Sequence, residues 1–292
     1  MKKYLLPIFL TITTLFFTSC SDDTSYTLDN PTEDAITVQI DDKKYELDEY
    51  SRVTIKLAPG AHQLISKSAG TVNFTVYPDR NGGIINPTLT TYILLNEVYT
   101  VDTASRESYR PSSDTIIVNG KSYTANFKRL DGLFIPEQWS YDLDEELPDE
   151  VTVYNNKSGT IKSKIFSLED FVLYYLNYYG KPDNARGQKA VVMTRAQILA
   201  FNQPTTLPDF LSAEFQEATL PLRALYTEYM QTIDPEQQKA LQEQYHKMMS
   251  QYVTDTMYLH AKQSTEENNK ANDFTTQVSN LFGTSFLITS YK

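Results

Sequence analysis

Residues 115–124 read Thr-Ile-Ile-Val-Asn-Gly-Lys-Ser-Tyr-Thr and carry the clearest local signal of the fold. The Asn-Gly pair supplies the two positive-φ positions of a type I′ turn. Such a turn pairs Val118 with Lys121 and places Ile116 opposite Tyr123 on one face. The stretch therefore predicts an antiparallel β-hairpin with that face buried.

Three segments upstream of this hairpin alternate apolar with polar residues, and Thr91–Val101 forms a denser apolar run suited to a central strand. A period of two places alternate side chains on one face of a half-buried strand. The alternating apolar residues are Ile36, Val38 and Ile40; Val53, Ile55 and Leu57; and Val72, Phe74 and Val76. Turn residues separate these segments at 41–42, 59–60 and 81–83. Together they predict an antiparallel β-sandwich-like domain.

The period changes after the acidic stretch 141–150, where helix-start signals replace turns. The expected N-caps are Ser167, Thr194, Ser212 and Asp234. The last of these begins a helix that should reach about Gln263, because Pro235 and Gln237 follow it at favoured positions. Pro221 should kink or divide the preceding helix. Residues 285–289 are expected to return as a strand.

The expected fold class is α+β, with an N-terminal antiparallel β-sandwich-like domain followed by a mainly helical C-terminal region. The chain is divided into a signal peptide, a tether, the β domain, an acidic linker with a short strand, and the helical region. Their bounds are 1–19, 20–31, 32–136, 137–165 and 166–292. Because few contacts should cross an acidic linker, the two halves are expected to separate within it.

The amino terminus has the layout of a secretory signal peptide. Lys2-Lys3 precedes an apolar run from Tyr4 to Phe17 that is short for a membrane span. The run ends in Phe17-Thr18-Ser19-Cys20, and Cys20 is the single cysteine, so no intramolecular disulfide can form. This tetrapeptide resembles the lipobox of bacterial lipoproteins. The resemblance implies that Cys20 becomes the lipidated first residue of the mature chain.

Residues Ser21-Asp22-Asp23 resemble the export signal of surface-exposed lipoproteins in Bacteroidota-type bacteria. The resemblance implies a lipid-anchored protein of the outer membrane. Surface display is favoured over a periplasm-facing orientation.

Residues 36–64 resemble PEGA-type extracytoplasmic β modules in the order of their elements. A strand is followed by the Asp41-Asp42 turn, a second strand and the sequence Leu57-Ala58-Pro59-Gly60-Ala61-His62. The resemblance implies a β fold and no catalytic residues.

The net charge of −11 disfavours nucleic acid as a partner. Binding to a polyanion requires clustered Lys and Arg, whereas the longest basic runs in this chain are pairs. The membrane, reached through the N-terminal lipid, is an expected partner.

Metal and nucleophilic sites are not indicated. His246 and His260 are expected on one helix about 21 Å apart, and His62 lies in the β half. The zinc, serine-nucleophile and phosphate-loop patterns are absent. Asp142, Asp144 and Glu146 have the alternate spacing of a calcium loop, but Leu147 replaces the required Gly, so a solvated linker is favoured. We expect no metal, no cofactor and no catalytic residue, and thus no enzyme.

Tyrosine is unusually frequent, with 21 residues, and four of them crowd one short helix: Tyr174, Tyr175, Tyr178 and Tyr179. An exposed cluster of this kind binds sugars or protein. Packing against the β half is the favoured alternative, because aromatic stripes at helical spacing usually face a core. The four residues remain the candidate binding surface.

Three short segments resemble the Asp-Ser/Thr-apolar acceptor motif for O-glycans on exported proteins of Bacteroidota-type bacteria. The candidate acceptors are Thr103, Thr115 and Thr256.

The function expected from these features is that of a lipid-anchored cell-envelope protein acting as a binding or structural module. Its partner would be an envelope glycan or protein. The alternative is an envelope hydrolase acting on polysaccharide or peptide through carboxylates that the sequence does not identify.

Overall fold

The computed structural model describes residues 23–100, 113–152 and 159–292. These residues form fifteen strands and five α-helices, with nearly equal helix and strand content, so the expected α+β class is confirmed. The strands are β1 (Thr24–Asn30), β2 (Ile36–Ile40), β3 (Lys43–Leu47), β4 (Ser51–Leu57), β5 (Gly60–Ser66), β6 (Gly70–Val76), β7 (Gly83–Ile85), β8 (Tyr92–Tyr99), β9 (Asp114–Val118), β10 (Lys121–Ala125), β11 (Phe127–Leu130), β12 (Phe134–Pro136), β13 (Thr160–Ser167), β14 (Asp183–Asn184) and β15 (Phe286–Tyr291). The helices are α1 (Leu168–Tyr178), α2 (Arg195–Ala200), α3 (Ala213–Gln231), α4 (Pro235–Thr256) and α5 (Thr265–Gly283).

The strands form four sheets, in which neighbouring strands are antiparallel except for the parallel pair β1 and β7. The strand orders are β15-β6-β5-β2-β3, β12-β7-β1-β4, β11-β8-β13 and β14-β10-β9. Alternate residues of the first two sheets share one hydrophobic core, which includes Leu28, Val38, Leu64 and Phe74. The alternation of apolar and polar residues in the sequence therefore places the apolar side chains between the two sheets of a sandwich.

The hairpin predicted at residues 115–124 is present. Val118 pairs with Lys121, Ile116 pairs with Tyr123, and both members of the second pair are buried. Asn119 and Gly120 have φ values of 49° and 73°, as a type I′ turn requires.

Replacing Gly120 by Ala should lower the free energy of unfolding by about 1 kcal/mol. A Cβ on Gly120 meets no atom within 4 Å, so the cost comes from the left-handed backbone conformation alone. Gly283, at the end of α5, also has open space around it and provides the matched control. Urea unfolding should show no loss for Gly283→Ala, and an equal loss for both variants would contradict the prediction.

The prediction of a tether over residues 20–31 is wrong for Thr24–Asn30. These residues form β1, which lies between β4 and β7. Tyr26 and Leu28 enter the sandwich core. Asp29 and Asn30 of this strand are buried and hydrogen-bond to other parts of the chain. Asn30 Nδ2 donates to the carbonyl oxygens of Asp34 and Asp48 at 2.8 and 2.7 Å.

A boundary at residues 137–165 does not agree with the sheet connectivity. β13 pairs along its whole length with β8, and Lys164 Nζ donates to the carbonyl oxygens of Asp142 and Leu143. The start of the acidic stretch, residues 141–143, is therefore docked on the sheet, whereas the side chains of residues 144–146 and 149–150 are exposed to solvent. Near the C-terminal end of the sequence, β15 pairs with β6 and forms one edge of the five-stranded sheet.

The helix starts agree with the sequence analysis. Ser167, Thr194, Ser212 and Asp234 are N-caps whose side chains accept hydrogen bonds from backbone N–H groups in the first turn. Pro221 lies inside α3 without dividing it, and α4 ends at Thr256, earlier than expected, before a 3₁₀ turn at His260–Lys262. The last three helices enclose a second core that includes Phe215, Tyr229 and Phe282.

Candidate functional site

A cavity of about 610 Å³ lies where α1, α2 and the ends of several strands meet. Nine of its sixteen lining residues are Leu, Val, Ile or Met; Leu89, Val118 and Val172 are among them. They come from the loop before β8, the β9 hairpin, α1, the segment before α2 and α2 itself. The size and apolar walls are typical of a small-molecule site.

The polar wall of the cavity is formed by Thr91, Arg129 and Asp131. Tyr92 and Leu130 are the last paired residues of β8 and β11, so Thr91 and Asp131 lie opposite each other one residue beyond the ladder. Asp131 Oδ1 accepts hydrogen bonds from Thr91 Oγ1 at 2.6 Å and from Arg129 Nη2 at 3.2 Å. The two charges are thus held as a pair beside an apolar space.

The Arg129 guanidinium has more donors than these bonds use. Arg129 Nη2 also approaches Thr91 Oγ1 at 3.3 Å, while Arg129 Nε is buried and has no hydrogen-bond partner among the described residues. A guanidinium carries five N–H groups and no acceptor. The N–H groups of Nη1 and Nη2 that Asp131 and Thr91 leave unused, and not the buried Nε, are the donors for an acceptor on a ligand.

The loop before β8 is braced by the buried side chain of Asn86. Its Nδ2 donates to the carbonyl oxygens of Thr90 and Gly132 at 2.7 and 2.9 Å. Leu89 is held with a φ of 59°, a conformation that non-glycine residues adopt at a cost. Asn86 thus holds a strained loop that presents Leu89 to the cavity.

Helix α2 is fixed to the sandwich at both ends, and this positions the apolar segment 191–193 in front of it. Arg195 Nε donates to the Ala69 carbonyl at 2.8 Å. Asn202, just beyond the helix, bonds through its side chain to both the N–H and the carbonyl of Phe134. Val192 and its neighbours are therefore held over the cavity while remaining largely exposed.

Three of the four clustered tyrosines lie in α1 and Tyr179 is its C-cap, and the four do not form one exposed surface. Tyr175 is buried and packs edge-on against Tyr123 of the hairpin at 5.1 Å. Tyr174 is half-buried and stacks on Tyr178 at 4.3 Å, and burial raises the pKa of Tyr174. Tyr178 and Tyr179 are exposed, and the Tyr179 hydroxyl donates to Glu97. The packing alternative is thus right for Tyr175, and none of the four lines the cavity.

Replacing Tyr175 by Ala should lower the free energy of unfolding by about 2–3 kcal/mol, because it removes a ring from a core. Replacing Tyr178, which is 66% exposed, should cost less than about 1 kcal/mol, the value of one aromatic stack. Thermal or urea unfolding of the two variants provides the comparison. Equal losses would show that the exposed ring contributes as much as the buried one.

The candidate O-glycan acceptors have different outcomes. Thr103 and the lipidation residue Cys20 lie outside the described residues. Thr115 is exposed on β9, where its hydroxyl lies 2.7 Å from that of Thr124. Thr256 is buried, and its hydroxyl donates to the Tyr252 carbonyl at 2.7 Å, so it is inaccessible as an acceptor and that expectation is wrong.

Two of the three histidines have clear structural contacts. His62 joins two turns, with its ring nitrogens 2.7 Å from Asp41 Oδ2 and from the Ala58 carbonyl. His260 Nδ1 lies 2.8 Å from Asn268 Oδ1, and His246 is exposed on α4. Across residues 23–100, 113–152 and 159–292, no group of three His, Cys, Asp or Glu residues is arranged to hold a metal ion.

Sequence reasoning missed the cavity because its lining comes from separate segments. The strongest available signal was the short apolar run 191–193, which has neither a helical nor a strand period.

Comparisons with protein-family models, curated proteins and solved structures give no significant match to this chain. Among the described residues, no helix combines the length and apolar character needed to span a membrane.

Proposed function

We propose that this chain is a lipid-anchored cell-envelope protein that acts as a binding module, with the cavity beside α1 as its ligand site. The observation that carries the proposal is the cavity itself, about 610 Å³ in volume, with mainly apolar walls and one polar wall. Binding sites for small molecules commonly combine these features. The proposal places the site away from the tyrosines of α1.

The anchor in this proposal is Cys20, in the Phe17-Thr18-Ser19-Cys20 segment. Because β1 begins at Thr24, three residues, 21–23, separate the lipidated residue from the folded sheet. The four Cα-to-Cα steps from Cys20 to Thr24 span at most about 14 Å. Lipidation of Cys20 would therefore hold the sandwich close to the outer membrane, with surface display favoured over the periplasmic orientation.

Replacing Cys20 by Ala should move the protein from the membrane fraction to the aqueous phase. Several acyl chains anchor a protein stably, since each buried methylene contributes about 0.8 kcal/mol. Detergent partitioning and intact mass of the mature protein test this. An unmodified Cys20 in the wild type would contradict the anchor.

Ligand binding is tested by incubating the Cys20→Ala protein with an envelope extract and identifying retained compounds by native mass spectrometry. Leu173→Asp should abolish retention, because it places a charge on the apolar wall. Leu220→Asp is the matched control, since both leucines are 55% exposed on helices and Leu220 does not line the cavity.

Three outcomes of this experiment are informative. Retention that depends on Leu173 alone supports the binding module. No retention, or equal retention by both variants, contradicts the proposed site. Release of a cleaved product would favour the alternative, an envelope hydrolase acting on polysaccharide or peptide.

A further inference from the structure

We infer that the ligand of the cavity beside α1 is an aliphatic acyl chain whose carbonyl or carboxylate oxygen binds Arg129. This inference rests on the proposed function and specifies the chemical class of the ligand. It follows from the chemistry of the walls, the volume of the cavity and the unused donors of the polar wall.

The walls distinguish an aliphatic ligand from a sugar or a peptide. The lining contains no aromatic ring, whereas sugar sites commonly offer flat aromatic faces. A peptide would bury N–H and C=O groups along its length, each requiring a hydrogen-bond partner. Six of the sixteen lining residues are polar or charged, namely Thr90, Thr91, Asn119, Arg129, Asp131 and Glu169, so an elongated polar backbone would lie largely against aliphatic side chains.

The volume sets the size of the chain. At about 30 Å³ for a water-sized group, 610 Å³ accommodates about 20 non-hydrogen atoms. An acyl chain of about 12–16 carbons fills that space with its head group included. Branched side chains such as Val118, Val172 and Ile198 give such a chain apolar contacts on several sides.

Three charged side chains line the cavity: Arg129, Asp131 and Glu169. Asp131 Oδ1 accepts hydrogen bonds from Thr91 and Arg129, and Glu169 is exposed. The hydrogen bonds of Arg129 within the described residues come from Nη2, which leaves donors on the same guanidinium for an oxygen of the ligand. A carboxylate or ester carbonyl matches this surplus of donors.

The test uses the Cys20→Ala protein, which lacks a lipid of its own, and calorimetric titration with C10 to C18 fatty acids below their micelle concentrations. Affinity should rise about three- to fourfold for each added methylene until the cavity is full at about C16. Each acid should bind about tenfold or more tightly than the alcohol of equal length. Arg129→Gln should remove this preference for the acid while retaining binding of the alcohol.

Controls separate failure of this inference from failure of the proposed function. Leu173→Asp should lose fatty-acid binding and Leu220→Asp should retain it. A compound retained from envelope extract through Leu173, together with no binding of fatty acids or no dependence on chain length, would overturn the acyl ligand and leave the binding module standing. If the Cys20→Ala protein without further substitution retains neither fatty acid nor extract compound, both the acyl ligand and the binding module are overturned.

Two further experiments identify the source of the acyl chain and test sugars and peptides as other classes of ligand. Extraction of lipid from phosphatidylethanolamine vesicles would assign a phospholipid acyl chain, and binding of free acid without extraction would assign a fatty acid. Preferential binding of maltohexaose or of a Leu-rich hexapeptide would overturn the inference. The chain-length series on the Cys20→Ala protein without further substitution decides the matter even if Arg129→Gln fails to fold.

Discussion

Replacing Phe286 by Ala should lower the free energy of unfolding by about 3–5 kcal/mol, the usual cost of removing a buried aromatic ring. Phe286 is fully buried at the start of β15. Its ring centroid lies 4.5 Å from that of Phe134 and 5.7 Å from that of Tyr26. These rings come from three strands that are far apart in sequence, so no local rearrangement fills the space.

The same strand connects the two cores of the molecule. Phe286 and Ile288 pack in the sandwich, whereas Leu287 packs with the helices beside Tyr77. Loss of the Phe286 ring should therefore destabilise the helices as well as the sandwich.

Circular dichroism reports the helices, and tyrosine fluorescence reports both cores. The two probes should give one common, lowered transition for Phe286→Ala. Leu220→Ala, on an exposed helix face, should stay within about 0.5 kcal/mol of the wild type. Separate transitions for the two probes would restore the sequence-based view of two separable halves.

The features that the sequence predicted depend on local chemistry. Asn119-Gly120 determines its own turn because few residue pairs tolerate two positive φ values, and Ser167 and Asp234 bond to the first turn of their own helices. Strand alternation is also local, since a period of two follows from the pleat. These elements could be read without knowing what they pack against.

The features that were missed depend on distant partners. β1 resembled a tether because its polar residues gain partners only in the fold, as Asn30 does from the Asp48 carbonyl. Tyr175 is buried, and its neighbour Tyr179 is not, because the hairpin bearing Tyr123 covers one side of α1. The cavity requires Leu89, Arg129 and Val192 to come together, and no spacing in the sequence brings them together.

Replacing Asp29 by Ala should also lower the free energy of unfolding by about 3–5 kcal/mol, because it leaves the buried Tyr92 hydroxyl without its acceptor and removes one of the two carboxylates that pair with the half-buried Arg52. Asp29 is 1% exposed in β1. Tyr92 donates to its Oδ2 at 2.5 Å, and Arg52 Nε lies 3.3 Å from its Oδ1. Arg52 also reaches Asp144 at 3.3 Å, so the carboxylate holds part of the acidic stretch on the sheet.

Asp29→Asn should cost less than Asp29→Ala, and its cost should depend on pH. The amide oxygen still accepts the bond from Tyr92, but the side chain no longer titrates. Burial raises the pKa of Asp29 in the folded protein, an effect that the Tyr92 hydrogen bond and Arg52 only partly offset. The folded state therefore holds this proton more tightly than the unfolded state does.

The sign of the pH dependence follows from this difference. The contribution of Asp29 to stability is fully present below its unfolded pKa, about 3.9, and is lost as the pH rises through the higher folded pKa. The difference in unfolding free energy between the wild type and Asp29→Asn should therefore be largest near pH 3.5 and shrink as the pH rises. Urea unfolding of both proteins from pH 3.5 to 7 measures this difference. Subtracting the two free energies cancels the contributions of the carboxylates that both proteins contain. A difference that grows with pH would show that the ion pair with Arg52 outweighs burial of the carboxylate.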